Sequence, residues 1–513
     1  MLLIQAIRRN AAFRAGEIAT IDGDERRTWA EFADRVARAA DGLRQMGIRP
    51  GDRVGILALN SAHYLEAQFA IWWVGAVLVP MNIRWSVEEN LYCIRDAGIE
   101  TLIFDQAFAD MAGTICAEAN GLRQILLAPA SEGTVPAFED VIARGTTKPA
   151  HESAVNDLGG IYYTGGTTGF PKGVMLSFQA LWAAAMAIVL ANGMKPGGRM
   201  LHATPMFHLA DGGMSHGAML VGATHVFVPR FDAVDVIDAI DRHKVTDVLL
   251  VPTMIGLLQN NPAYAPERLA SLRCLCFGAS PIPQPVLRKL QADLPNVDLL
   301  HVYGQTEMGP TISFLEPRFQ IAGDPKSLSV GKPFACVEVR IVDDQGHDVE
   351  PNVPGEILAR GPSSMIGYWG KPQETAKTIV DGWVRTGDVA YKDEEGFLFI
   401  CDRVKDMIIT GGENVFSAEV ENAVAAHPAV AQVAVIGIPD ADYGECVHAV
   451  IVPKPGQTVT ADELKAHCKT LIANYKCPRS MELRDALPVS GAGKVLKREL
   501  REPYWVGHDR AVH

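Results

Sequence analysis

The segment Tyr163-Thr164-Gly165-Gly166-Thr167-Thr168-Gly169-Phe170-Pro171-Lys172-Gly173 has the composition of an anion cradle. Glycines let the backbone turn successive N–H groups inward as a nest, threonine hydroxyls add donors, and a lysine adds positive charge. Together these suit a polyphosphate. A Walker-type loop needs Gly-Lys-Ser/Thr leading into a helix, whereas here Pro171 precedes Lys172 and Gly173 follows it. A plain surface turn has no use for this many hydroxyls beside a lysine.

Other stretches carry chemistry only in combination. Tyr303-Gly304-Gln305-Thr306-Glu307 follows the apolar Leu299–Val302. A strand ending this way offers a hydroxyl to phosphate and a carboxylate to Mg²⁺, although alone a solvated glutamate is the commoner explanation. Arg385-Thr386-Gly387-Asp388 offers a turn-borne carboxylate that could accept both hydroxyls of a ribose; alone, Asp after Gly is a turn residue. Asp402-Arg403-Val404-Lys405-Asp406, then Gly411-Gly412-Glu413-Asn414, place charge and a glycine-rich loop where the texture of the chain changes. Ser490-Gly491-Ala492-Gly493-Lys494 presents one lysine near the C-terminus, in isolation an ordinary surface charge.

These residues need elements to hold them. Thr28 and Glu31 form a capping box ahead of Phe32, Val36, Ala39, Leu43 and Met46 at helical spacing, with Gly47 as the stop. A strand over Arg53–Leu59, a helix over Tyr64–Trp73 and a strand over Ala76–Val79 follow, and this alternation predicts βαβ units and a parallel sheet. It returns at Val245–Val251, Arg273–Phe277 and Asp298–Val302. Between about Ser329 and Ile400, short β-rich runs such as Val337–Val342 and Glu356–Arg360 predict a small antiparallel or barrel-like section. Beyond it, helices near Ala418–Ala426 and Ala461–Ile472 with strands at Val430–Ile436 and Val447–Val452 predict a smaller α+β domain. The expected class is α/β: a large N-terminal domain over residues 1–401, then a small mobile domain over 402–513.

Length and composition set the outer limits. At 513 residues, more than one core is expected. A net charge of −13 argues against general nucleic-acid binding, without excluding a local phosphate site. The scattered cysteines lack a zinc-ligand pattern and read as reduced thiols. The longest apolar run, Ala70–Pro80, is roughly half of the ~20 residues a membrane span needs. The expectation is a cytoplasmic protein with no integral membrane segment; peripheral membrane contact and a homodimer are both compatible with it.

Taken in order, the five stretches resemble the adenylate-forming superfamily of acyl-CoA synthetases, aryl-CoA ligases, luciferase-type enzymes and peptide-synthetase adenylation domains, from about Thr28 to Glu499. The resemblance implies ATP, Mg²⁺ and CoA as the small-molecule set, with a carboxylic acid as substrate. It implies that Thr164, Gly165, Gly166, Thr167, Thr168, Gly169 and Lys172 hold the β- and γ-phosphates, with Gly165 where the family usually has Ser. Thr306 would meet the α-phosphate, Glu307 the metal, and Asp388 with Arg403 the ribose. Tyr303 would stack on adenine opposite Gly278, Ala279 and Ser280, beside Gly304 and Gln305. Lys494 matches the lysine that bridges carboxylate and α-phosphate, where the repulsion of two anions must be cancelled. Asp402 matches the hinge about which the small domain turns between half-reactions. Gly411, Gly412, Glu413 and Lys476 would then lie along the CoA path, and His208 would be the gate in Pro205-Met206-Phe207-His208. Ser417 stands where Pro is common, a departure that on sequence affects only a turn.

An acyl pocket is expected at Phe207, Gly212, Gly213, Gly304, Met308 and Gly309, and the many small residues among and around these favour a medium- or long-chain fatty acid, with an aryl or ring-bearing acid as alternative. Small residues serve backbone turns equally well. A stand-alone adenylating enzyme loading a carrier protein, a luciferase-like oxygenase and a catalytically silent scaffold are the other readings. The retained Lys172, Glu307, Asp388, Arg403 and Lys494 argue against the scaffold.

Overall fold

The computed structural model describes residues 2–119, 121–131, 133–164, 171–403, 406–411, 413–440, 442–489 and 495–506. The expected Gly165, Gly166, Thr167, Thr168, Gly169, Gly412 and Lys494 lie outside the described residues. The chain divides into two compact units, one of residues 1–339 with 359–384 and the other of 340–358 with 385–513. The expected α/β class holds.

The first unit is built on two large sheets. One has nine strands, in which Asp298–Tyr303, Cys274–Gly278, Asp247–Leu250, Arg199–His202, Thr224–Phe227 and Ile18–Asp22 run parallel in that order. The other has seven, with Leu158–Thr164, Val77–Pro80, Arg53–Leu57, Thr101–Asp105 and Arg123–Leu127 parallel in that order. Lys172–Ser177 and Gly367–Tyr368 continue this second sheet antiparallel. The helix Trp29–Gln45 begins where the sequence predicts: Thr28 Oγ1 accepts the Glu31 amide while the Glu31 carboxylate accepts the Thr28 amide. The helix Ala62–Val74 is buried all round and stops at Gly75 in the left-handed conformation, so its boundary was legible although it carries no polar stripe.

The second unit holds part of the β-rich section, residues 340–358 and 385–403, and the C-terminal elements. The divisions at 339/340, 358/359 and 384/385 fall inside three strands of one five-stranded sheet. Within the second unit, Leu398–Arg403 pairs antiparallel with Trp383–Lys392. A further five-stranded sheet joins Glu413–Val415, Ile408–Thr410, Gly444–Pro453 and Val430–Asp440 in that order, with Ser480–Leu483 beside Gly444–Pro453. Helices Ser417–Ala425 and Ala461–Lys469 bury Val420, Val424, Leu464 and Cys468 in the core they share with this sheet. Among the described residues no helix is long and apolar enough to cross a membrane. All nine cysteines are free.

Candidate active site

In the first unit, parallel strands end where the chemistry-bearing residues stand, the usual placement of ligands in open α/β sheets. Leu158–Thr164 and Lys172–Ser177 pair with Thr164 opposite Lys172. Lys172 therefore leaves the cradle segment on a strand edge rather than a helix, as the Pro171-Lys172-Gly173 order predicts. Tyr368 pairs with Val174 on the next strand. Its ring lies under the Lys172 ammonium, 5.1 Å from Nζ to the ring centre. Its hydroxyl donates to Glu307 Oε1 at 2.9 Å.

One aromatic side chain thus separates a cation from a carboxylate that the sequence selected independently. Lys172 Nζ also pairs with Glu374 Oε2 at 2.7 Å, and the lysine holds that carboxyl below its ordinary range. Burial, and then the Glu307 charge, push the Tyr368 phenol up, so it stays a proton donor to the carboxylate. Tyr368 and Glu374 were not singled out from the sequence. Only the neighbouring glycine and proline, Gly367 and Pro372, mark that segment, and a cross-sheet pairing has no local signature.

Tyr303 ends the strand Asp298–Tyr303, and Thr306 and Glu307 sit on a single turn of 3₁₀ helix over Thr306–Met308. Ser280 follows Ala279, which adopts φ +69° directly after the strand Cys274–Gly278. A left-handed non-glycine residue carries strain, and such residues gather at functional sites. A methyl group on Gly278 would collide with the Val302 carbonyl oxygen, and one on Gly304 with that of Pro310. At Gly309, φ is +60° and the Ser363 carbonyl oxygen would lie 2.9 Å from the added carbon. These three glycines exist for backbone approach and add no open volume. Gly212 and Gly213 differ: their added carbons would meet nothing closer than 3.5 Å and 3.6 Å. They leave room for a methyl group on the helix Leu209–Val221.

Phe207 is buried, with the His208 ring 5.1 Å away, and Met308 is fully buried. The segment leading to them is clamped from one side. The Asn60 amide group donates to the carbonyls of His202 and Thr204, and its oxygen accepts the Met206 amide at 2.8 Å. Asp211 accepts from His202 Nδ1 at 2.7 Å. One turn further along the same helix, burial pushes His216 down to about 3, and it bonds the Gln68 amide as a neutral ring.

In the second unit, Asp388 faces Arg403 across the antiparallel pair, with Oδ1 3.2 Å from Nε. The expected turn at Arg385–Asp388 is instead part of the long strand Trp383–Lys392. Gly387 at φ +69° and the register shift between Val389 and Ala390 supply the bend that the sequence suggested as a turn. Thr386 Oγ1 fixes this bend by donating to the Ile357 carbonyl and accepting the Asp388 amide.

Asp402 is buried, and its carboxylate accepts the amides of Arg403 and Ser417. Gly411, at φ +61°, donates its amide to the Tyr443 carbonyl, and Glu413 pairs opposite Thr410. Lys476 is held by both oxygens of Glu419 at 2.7 Å. Arg479 stacks on the Tyr443 ring, 3.8 Å from its centre.

A family model described as AMP-binding enzyme matches residues 7–369, and one described as AMP-binding enzyme C-terminal domain matches 419–494. A feruloyl-CoA synthase of Amycolatopsis is 39% identical, with 97% of this chain and 98% of the relative covered. A fatty acid–[acyl-carrier-protein] ligase of Streptomyces coeruleorubidus is 33% identical over 95% of this chain and 93% of its own. The solved o-succinylbenzoate CoA synthetase of Bacillus subtilis, with its acyl-adenylate intermediate, superposes with a TM-score of 0.86 at 31% identity, covering 96% of this chain and 97% of that one. On full-length likeness of this kind, the chain belongs to the AMP-binding enzyme family and is an AMP-forming acid–thiol ligase of the adenylate-forming superfamily.

Proposed function

We propose that the protein activates a carboxylic acid with ATP as an acyl-adenylate, releasing pyrophosphate, and then transfers the acyl group to CoA. The observation that carries this reading is the Lys172–Tyr368–Glu307 arrangement, a cation and a carboxylate held at the ends of one tyrosine. A cation and a carboxylate so placed suit a metal-bound polyphosphate. To bind the β- and γ-phosphates, Lys172 exchanges Glu374 for phosphate oxygens, and Thr164 to Gly169 supply the neighbouring donors.

Glu307 suits Mg²⁺, because magnesium needs only one or two protein carboxylates when phosphates complete its shell. Among the described residues no cluster of His, Cys, Asp and Glu competes for that role. Bound with the nucleotide, the ion would spread the phosphate charge. Thr306 would contact the α-phosphate, while Tyr303 and Gly278–Ser280 flank the adenine. Asp388, kept in place by Arg403, accepts the ribose hydroxyls. Lys494 brings the carboxylate to the α-phosphate. Adenylation then needs no protein nucleophile, since positioning and charge stabilisation suffice.

For the second half, the small domain turns about Asp402 and withdraws Lys494. Gly411, Gly412, Glu413 and Lys476 then line the CoA path, and His208 opens the acyl pocket. The acceptor is CoA; a carrier protein is the alternative that the fatty-acid relative keeps in view.

For the acid, an aryl or ring-bearing carboxylate is the first reading, supported by the feruloyl and o-succinylbenzoate relatives. A medium- or long-chain fatty acid is the second, supported by the room beside Gly212 and Gly213. The test is AMP and pyrophosphate release with ATP, Mg²⁺ and a panel of both acid classes, with and without CoA. Stoichiometric, CoA-dependent AMP release with one class establishes the ligase and brackets its acid. Release indifferent to CoA shifts the acceptor to a carrier protein, and silence across the panel rejects the reading.

Tyr368→Phe keeps the ring under Lys172 and removes only the hydroxyl on Glu307. A hydrogen bond to a charged group contributes about 1.5–3 kcal/mol, so adenylation should slow by roughly 10- to 100-fold, with a higher Mg²⁺ requirement. An unchanged Mg²⁺ titration would remove Tyr368 from the metal site.

A further inference from the structure

Asp402, Ser417, Glu421 and Lys497 are far apart in sequence yet form one cluster within the second unit. The Ser417 amide donates to Asp402 Oδ2, and Ser417 Oγ accepts from Lys497 Nζ. The same ammonium pairs with Glu421 Oε1 at 2.7 Å, and that oxygen also accepts the Val435 amide at 2.8 Å. Asp402 is only 6% exposed and Ser417 is fully buried. Burial pushes the carboxyls of Asp402 and Glu421 up, and the Lys497 charge opposes it. One cation therefore pairs with the partly exposed Glu421 and lies close enough to the buried Asp402 to oppose the cost of its burial.

Ser417 is the first residue of the helix Ser417–Ala425. At that position a proline satisfies the helix equally well, because the amide has no partner inside it. Proline cannot donate to Asp402. The departure that looked like a mere turn preference therefore decides whether the carboxylate has a donor on this helix.

The contact also has a mechanical meaning. Asp402 Oδ1 accepts the amide of Arg403 and Oδ2 that of Ser417, and both donors lie C-terminal to the Cα–C bond of Asp402. A turn about that bond leaves the carboxylate with the strand Leu398–Arg403 and carries the helix away. The contact with Ser417 cannot survive a large turn.

We propose that Ser417 is a positioning residue for Asp402, its amide fastening the carboxylate to the helix Ser417–Ala425, and that release of this fastening is a step in the passage between half-reactions. The inference rests on the reading of Asp402 as the hinge. A fastening that exists in one orientation and not in the other biases their populations, and hence the relative rates of the halves.

The test is Ser417→Pro. Phe416, at φ −83° and ψ 119°, already has the conformation that precedes proline, so the helix is retained. Single-turnover rates are measured for acyl-adenylate formation and for consumption of supplied acyl-adenylate by CoA. Their ratio should shift by about tenfold in Ser417→Pro and by less than about twofold in Ser417→Ala, which keeps the amide. Asp402→Ala should reproduce the shift, and the double variant should add nothing to it. An unchanged ratio, or equal slowing of both halves, overturns the fastening.

Asp402→Pro separates the two ideas, because it constrains the backbone itself. Unchanged turnover there removes Asp402 as hinge, whereas altered turnover with an unchanged ratio in Ser417→Pro removes the fastening alone. Should Ser417→Pro not fold, hydrogen exchange at the Ser417 amide decides the matter. Strong protection in the wild type that collapses in Asp402→Ala supports the fastening; equal exchange in both excludes it.

Discussion

Lys494→Ala lowers the rate of acyl-adenylate formation by about 10³-fold and leaves the transfer of a supplied acyl-adenylate to CoA within about threefold of wild type. The size of the first effect follows from what adenylation demands. A carboxylate must approach an α-phosphate that already bears negative charge, and no neutralising group on either partner assists. Removing one cation aimed at the developing charge costs about 4 kcal/mol in a water-poor site, which is about three factors of ten. The second effect is small because thiol attack on the adenylate expels AMP, a good leaving group, and creates no comparable anion–anion encounter. The comparison requires both half-reactions on the same preparation. Equal loss in the two would mean that Lys494 acts in both orientations or holds the fold. The flanking structure argues against the second possibility, since Val489 pairs with Val495, Leu496 donates to the Pro488 carbonyl, and Lys497 is anchored on Glu421.

Much of this architecture is legible in the residues, and the remainder fails for identifiable reasons. The capping box at Thr28 and Glu31 and the stop at Gly47 are local signals, and both hold in the structure. The alternation of apolar strands and helices gives the parallel sheets because each element must bury a face against its neighbour. Asp388 was legible as a residue but not as a strand position. Gly387 imitates a turn in sequence, while its cross-strand partner Arg403 lies on the next strand. Tyr368 and Glu374 were invisible because what distinguishes them is contact with Lys172 and Glu307, residues distant in sequence. Ser417 was visible but undervalued: its side chain matters less than the amide that proline would remove. The glycine count misled in a different way. Gly278, Gly304 and Gly309 admit backbone, not substrate, and only Gly212 and Gly213 support an argument about room.

Glu307→Gln should reduce acyl-adenylate formation by about 10²–10³-fold while leaving the melting temperature within a few degrees of wild type. The substitution is nearly isosteric and keeps an oxygen for the Tyr368 hydroxyl, which donates at 2.9 Å. The local fold therefore keeps its contact. What disappears is the charge. A neutral amide oxygen is a far poorer ligand for a hard divalent cation than a carboxylate, so a Mg²⁺ that Glu307 would hold would lose most of its protein anchor. If Glu307 holds the ion, its loss would weaken the charge neutralisation that Mg²⁺ would supply to the phosphates. Excess Mg²⁺ should accordingly restore part of the rate in Glu307→Gln and none in Lys494→Ala, because the lysine acts on the acid rather than through the metal. A Mg²⁺ titration of both variants decides this. Recovery in both, or in neither, would mean that the two residues do not divide the charge of the reaction between them, and Glu307 would revert to a structural partner of Tyr368.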